Sequence, residues 1–168
     1  SARRTTRLPD AWQWRGQWHI PELPFLWAQL ANFGSGRDTP AESPWALLRE
    51  SQSMALALPY TAQAVTIDIG NPRDIHPTNK QDVAHRLALA ARRIAYGETQ
   101  AQAAPAFDRV EFVGGEARVR FDHGHALAVR DGGTRVGGFV LAGADRRLHP
   151  AQATLVDGIV VVRSPQVA

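Results

Sequence analysis

The chain has 168 residues, a hydrophobic share of 44% and a formal net charge of +3. That is enough apolar material for one domain, or for one small domain with part of another, and it argues against a disordered chain. The charges are weak and interspersed, which excludes a nucleic-acid footprint, and the lack of cysteine excludes disulfides, thiolate nucleophiles and cysteine zinc sites.

In chain order, Ser1 to Arg7 is basic with no apolar run behind it, so it does not read as a signal peptide. No stretch further on approaches the ~20 apolar residues that a membrane span needs. Trp12, Trp14 and Trp18 come next; core packing is the default reading for such large rings, and a sugar-stacking platform is the functional one. Leu23 to Phe33 is a nearly continuous apolar run, the pattern of a strand buried on both faces in a parallel sheet. A polar loop from Gly34 follows, and Trp45, Leu48, Gln52 and Leu56 then predict a helix over Pro44 to Leu58 with proline at its start. Ala64 to Ile69 reads as a second buried strand, in which Asp68 is an unusual residue. After the loop Gly70 to His76, the stripe Val83, Leu87, Ala90 and Ile94 predicts a helix over Pro77 to Tyr96, with Gly97 as its cap. His85, Arg86, Arg92 and Arg93 fall largely off that stripe. Alternating strands and helices imply an open α/β sheet. Two strands do not complete one, so the remaining strands are expected from elsewhere.

The texture changes between Glu98 and Ala106, a connector that divides residues 1–100 from residues 101–168. Arg109 to Val113 and Ala117 to Phe121 alternate around Gly114-Gly115, a hairpin signal. Further strands are expected at Ala126 to Arg130, Gly138 to Ala142 and Ile159 to Arg163, so this half reads as a small antiparallel β module.

Asp74-Ile75-His76-Pro77 is the strongest candidate for chemistry. It lies in the loop after a predicted strand, where active sites of open α/β sheets gather. With a helix dipole ahead of it, His76 is expected to be neutral and able to take a proton from a hydroxyl, oriented by a nearby carboxylate. The competing reading is that His76 or Asp74 merely caps the helix. Ser35, in Gly34-Ser35-Gly36, lacks the full nucleophile elbow because Phe33 stands where a glycine is required, and it reads as structural. His123 and His125 have a spacing that suits a metal, but no third or fourth ligand is evident, so a solvated hairpin end is the expectation. No metal site is therefore assigned.

Taken in order, Leu23 to Phe33, Trp45 with Leu48-Arg49-Glu50-Ser51-Gln52, Ala64 to Gly70, Asp74-Ile75-His76-Pro77 with Asn79-Lys80, Arg86-Leu87-Ala88 and Tyr96-Gly97 resemble the sialate O-acetylesterases. These are a branch of the SGNH carbohydrate esterases. The likeness continues weakly through Gly138-Phe139 and Ala142 to Asp145. The resemblance implies the C-terminal part of an SGNH-type, flavodoxin-like α/β/α sandwich followed by a small antiparallel β module. It also implies a serine esterase that needs no cofactor and removes acetyl groups from sugars. His76 corresponds to the family's catalytic base. The usual acid position, three residues earlier, is Arg73, so Asp74 is the candidate acid and Asp68 the fallback. Gln29 and Asn32, closing the first strand, are candidate substrate-binding residues. The family's serine and oxyanion-hole blocks do not occur here, so a second polypeptide segment carrying them is the expected partner. Periplasmic or secreted location follows from the family's export. The substrate expected is an acetylated carbohydrate, sialic acid or a plant hemicellulose such as xylan or xyloglucan. An arginine-rich composition with a single lysine suits a bacterium and favours the plant polysaccharide. Two other readings stand beside this one: a non-catalytic carbohydrate-binding accessory module, and an esterase that has lost its serine block.

Overall fold

A computed structural model describes residues 9–34, 43–99, 104–122 and 124–167, and divides the chain into two compact units between Ala104 and Pro105. Its first unit runs helix α1 (Pro9–Trp18), strand β1 (Phe25–Ala28), helix α2 (Pro44–Met54), strand β2 (Thr61–Ala64) and helix α3 (Lys80–Ile94). β1 and β2 lie parallel, with Phe25 opposite Thr61 and Ala28 opposite Ala64. A parallel pair requires a crossover, and α2 with the 3-10 turn Ala55–Ala57 after it supplies it. Pro44 opens α2 as expected, and the Ser43 hydroxyl accepts from the Ala46 N–H at its N-terminus.

Both strands are shorter than the apolar runs suggest, and the reason is local hydrogen bonding. The run from Leu23 to Phe33 forms a ladder only over Phe25–Ala28, with one isolated bridge at Phe33, and the ladder residues are half-buried or exposed, not buried on both faces. β2 starts three residues earlier than expected and ends five earlier, at Ala64. Beyond it, the Val65 carbonyl accepts from Arg86, Thr66 donates its hydroxyl to the Gln29 carbonyl, and Ile69 N–H closes a turn on Thr66. The groups that would continue the ladder are thus already occupied, and Asp68 stands in a turn.

Helix α1 escaped the sequence reading because no apolar stripe marks it. Its anchor is polar. Arg15, 4% exposed, donates from Nε to the Leu23 carbonyl at 3.0 Å and from Nη2 to the Pro59 carbonyl at 2.8 Å, with its guanidinium over the Phe25 ring. It therefore ties α1 to the entrances of both strands. Arg15→Met keeps the aliphatic stem and leaves both carbonyls without their donor, so a loss of about 2 kcal/mol is expected in urea unfolding. The tryptophans of α1 do not pack into a core: Trp12 and Trp18 are more than half exposed, and Trp14 meets Trp18 edge-on at 5.2 Å.

The second unit is antiparallel. Its five-stranded sheet has the order β3-β4-β9-β8-β5, built from β3 (Phe107–Val113), β4 (Glu116–Phe121), β5 (Arg135–Val136), β8 (Gln152–Val156) and β9 (Ile159–Arg163). β6 (Val140–Ala142) and β7 (Leu148–Pro150) form a separate pair. The Gly114-Gly115 hairpin forms as predicted, both residues at positive φ, and Asp157-Gly158 turns β8 into β9 in the same way. Ala117 and Val119 of β4, Ala153 of β8, and Val160 and Val162 of β9 point to one face and make the core. The predicted strand from Ala126 to Arg130 does not form; Gly124–Ala126 is a 3-10 turn, and the backbone after it joins no ladder.

Candidate active site

Past the carboxyl ends of β1 and β2, two loops are bound to each other. On the β1 side, two side chains of α2 hold the loop: Gln52 Oε1 accepts from the Leu30 N–H, and the Trp45 indole N–H donates to the Ala31 carbonyl. On the β2 side, the Gly70 N–H donates to Asn32 Oδ1 at 2.8 Å. Gly70 approaches so closely that an added Cβ would lie 2.1 Å from both the carbonyl and side-chain oxygens of Asn32. Phe33 bridges to Asn71, and the Gly34 N–H reaches the Pro72 carbonyl. The two residues read as substrate-binding are therefore engaged in holding the local structure together. Asn32 holds Gly70, and the Gln29 side-chain amide donates to the Ser53 hydroxyl at 3.3 Å.

The loop beyond Gly70 shapes itself. Asn71 Oδ1 accepts from the Arg73 N–H at 2.9 Å, and Asp74 Oδ1 accepts from the His76 N–H at 2.8 Å, two successive side-chain-closed turns. The same Asp74 oxygen lies 3.5 Å from His76 Nδ1. The imidazole is 85% exposed and leaves Nε2 turned away from the carboxylate. Aspartate and histidine two positions apart are thus brought together by a backbone turn.

Two expectations about this loop need correction. The helix after it starts at Lys80, and Asn79 caps it, accepting from the Asp82 N–H while donating its amide to the Asp82 carboxylate. Neither His76 nor Asp74 is a cap. His76 also lies four residues before the first helical residue, Lys80, too far for the helix macrodipole to bear on it.

Asp68, the alternative acid, has a strong partner. Arg86 of α3 forks onto its carboxylate with contacts of 2.6 and 2.7 Å. That hydrogen bonding, against a smaller cost of burial, raises the Arg86 pKa above its ordinary value. Arg86 falls off the helix's apolar stripe, yet it turns inward, with its side chain 25% exposed. Spacing along the helix does not reveal this. The signal was the acid itself, since a carboxylate within an apolar run needs a cation. Ser35 and His123 lie outside the described residues, as does the His125 side chain. Among the described residues no cluster of three or more histidine, aspartate or glutamate side chains is placed to hold a metal. No described helix is long and apolar enough to cross a membrane.

The loops past the carboxyl ends of these parallel strands thus present an exposed histidine beside a carboxylate. Among solved structures, the chain is similar to a carbohydrate acetylesterase from Xanthomonas citri, with a TM-score of 0.85 and 61% sequence identity over 94% of this chain. It spans 36% of the length of that protein. No family model matches the chain, and no curated protein does. The likeness to carbohydrate esterases drawn from the sequence motifs thus holds, and so does the mixed α/β fold expected of such a piece.

Proposed function

We propose that this chain is a component of a carbohydrate O-acetylesterase in which His76 is the general base and Asp74 the acid that orients it. The observation that carries the reading is the 61% identity to a carbohydrate acetylesterase over nearly the whole chain. The geometry of the His76 loop supports it. Asp74 faces Nδ1, so Nε2 is left to take the proton of a serine hydroxyl. The serine oxygen then attacks the ester carbonyl, and the sugar hydroxyl departs with that proton, leaving an acetyl-enzyme. Water, deprotonated by the same nitrogen, releases acetate and restores the serine. The 3.5 Å separation is long for a hydrogen bond, as is common before substrate and the remaining catalytic groups are in place. Asp68 is the weaker choice of acid because Arg86 already occupies both of its oxygens.

Serine and oxyanion-hole donors come from a second polypeptide segment. The substrate is an acetylated polysaccharide, plant hemicellulose before sialic acid, met in the periplasm or outside the cell. The test is acetate release from acetylated xylan, xyloglucan and O-acetyl sialic acid, with the chain alone and after assembly with the serine-bearing segment. Activity should appear only on assembly. An inert assembled enzyme would sink the reading. A second reading draws on the exposed Trp14–Trp18 ring pair: retardation of an inert chain in polysaccharide gels would make it a carbohydrate-binding accessory module.

A further inference from the structure

The catalytic arm just proposed is only as precise as the segment that carries it. That segment leaves β2 at Val65 and reaches His76 eleven residues later. Its far end is shaped by the Asn71 and Asp74 turns, and its middle by the contact of Gly70 with Asn32. Its first turn, Val65 to Ile69, is reached from a different element. Arg86 Nη1 donates to the Val65 carbonyl at 2.5 Å and to Asp68 Oδ1 at 2.6 Å, while Nη2 donates to Asp68 Oδ2 at 2.7 Å. One planar guanidinium therefore ties the residue entering the turn and the Asp68 side chain within it to α3. Between the two clamped groups, the Thr66 hydroxyl is fixed on the Gln29 carbonyl. A lysine, with a single ammonium on a flexible stem, does not reproduce three bonds in one plane.

We propose that Arg86 is a positioning residue for the esterase reaction: through Asp68 and the Val65 carbonyl it fixes the root of the loop that places His76. The inference rests on His76 being the general base. It gives Asp68 a task other than orienting the histidine. Arg86 touches neither His76 nor Asp74; it acts through the backbone between them and β2.

The test compares Arg86→Gln, Arg86→Lys and His76→Ala in the assembled enzyme, using p-nitrophenyl acetate and titration of the active serine with a phosphonate. Amide hydrogen exchange at Ile69, Gly70 and His76 is followed in parallel. Arg86→Gln should lower kcat per titrated site about 100-fold, the scale of an ångström-sized misplacement, with KM within about twofold. Exchange at Ile69 and Gly70 should quicken at least about tenfold, and Arg86→Lys should recover part of both effects. A merely stabilising arginine would reduce the number of titratable sites and leave kcat per site intact, which would overturn the proposal. Unchanged exchange would overturn it too. Full activity in His76→Ala would instead remove the site on which the proposal rests. The exchange data tell these failures apart, because they report the clamp whether or not His76 is the base.

Discussion

His76→Ala in the assembled enzyme is expected to lower kcat for acetyl esters about a thousandfold, the contribution of a positioned general base, while leaving thermal unfolding unmoved. The structure makes this separation clean. The imidazole is 85% exposed, so its removal opens no cavity among the described residues. The bond that closes its turn runs from the His76 backbone N–H to Asp74, and alanine retains that donor. Circular dichroism melts and acetate release on the same preparation decide the matter. Asp74→Asn is the companion variant, since the amide oxygen still accepts from the backbone while the charge that would support an imidazolium is gone. Its loop should stay closed and its kcat should fall. Activity that survives both changes would mean that the base lies elsewhere.

The second large effect is expected at Gly70. An added methyl would stand 2.1 Å from the Asn32 main-chain oxygen and at the same distance from its side-chain oxygen. A side chain can rotate away, but the main-chain oxygen cannot. It belongs to a segment fixed by Trp45 and Gln52 on one side and by the Phe33–Asn71 bridge on the other. The two loops must part, and the Gly70 N–H loses Asn32 as its acceptor. Together these should cost about 3 kcal/mol in denaturant unfolding, with activity lost as well. Truncating Asn32 to glycine alongside should not rescue the variant, because the main-chain oxygen remains. If Gly70→Ala unfolds at the native midpoint, the two loops do not approach each other as described.

What the sequence disclosed depended on how local the determinant was. α3 was legible from its stripe, the β3–β4 hairpin from Gly114-Gly115, and β9 from Ile159 to Arg163 as it stands. β8 was overlooked although Asp157-Gly158 carries the same turn chemistry, because its five residues include two polar ones and look unlike a strand in isolation. The ends of β1 and β2 were misjudged for a different reason. Apolar content showed which residues favour extended chain, but side chains from α2 and α3, distant in sequence, decide where pairing stops. The candidate site shows the same divide. Asp74 and His76 are two positions apart, and their proximity follows from one turn. Arg86 and Asp68 stand eighteen apart, and only the packing of α3 makes them partners.

The successive turns of Asn71 and Asp74 bear on the order of folding. Each closes a ring between residues two positions apart, so each forms at almost no loop-closure cost and in the time of a local chain motion. The β1–β2 pairing, by contrast, joins residues 36 positions apart, and waits on the crossover between them. The histidine's immediate geometry is therefore set early and locally. The slow, long-range events carry that preformed turn to its place in the sheet, and they do not have to build it.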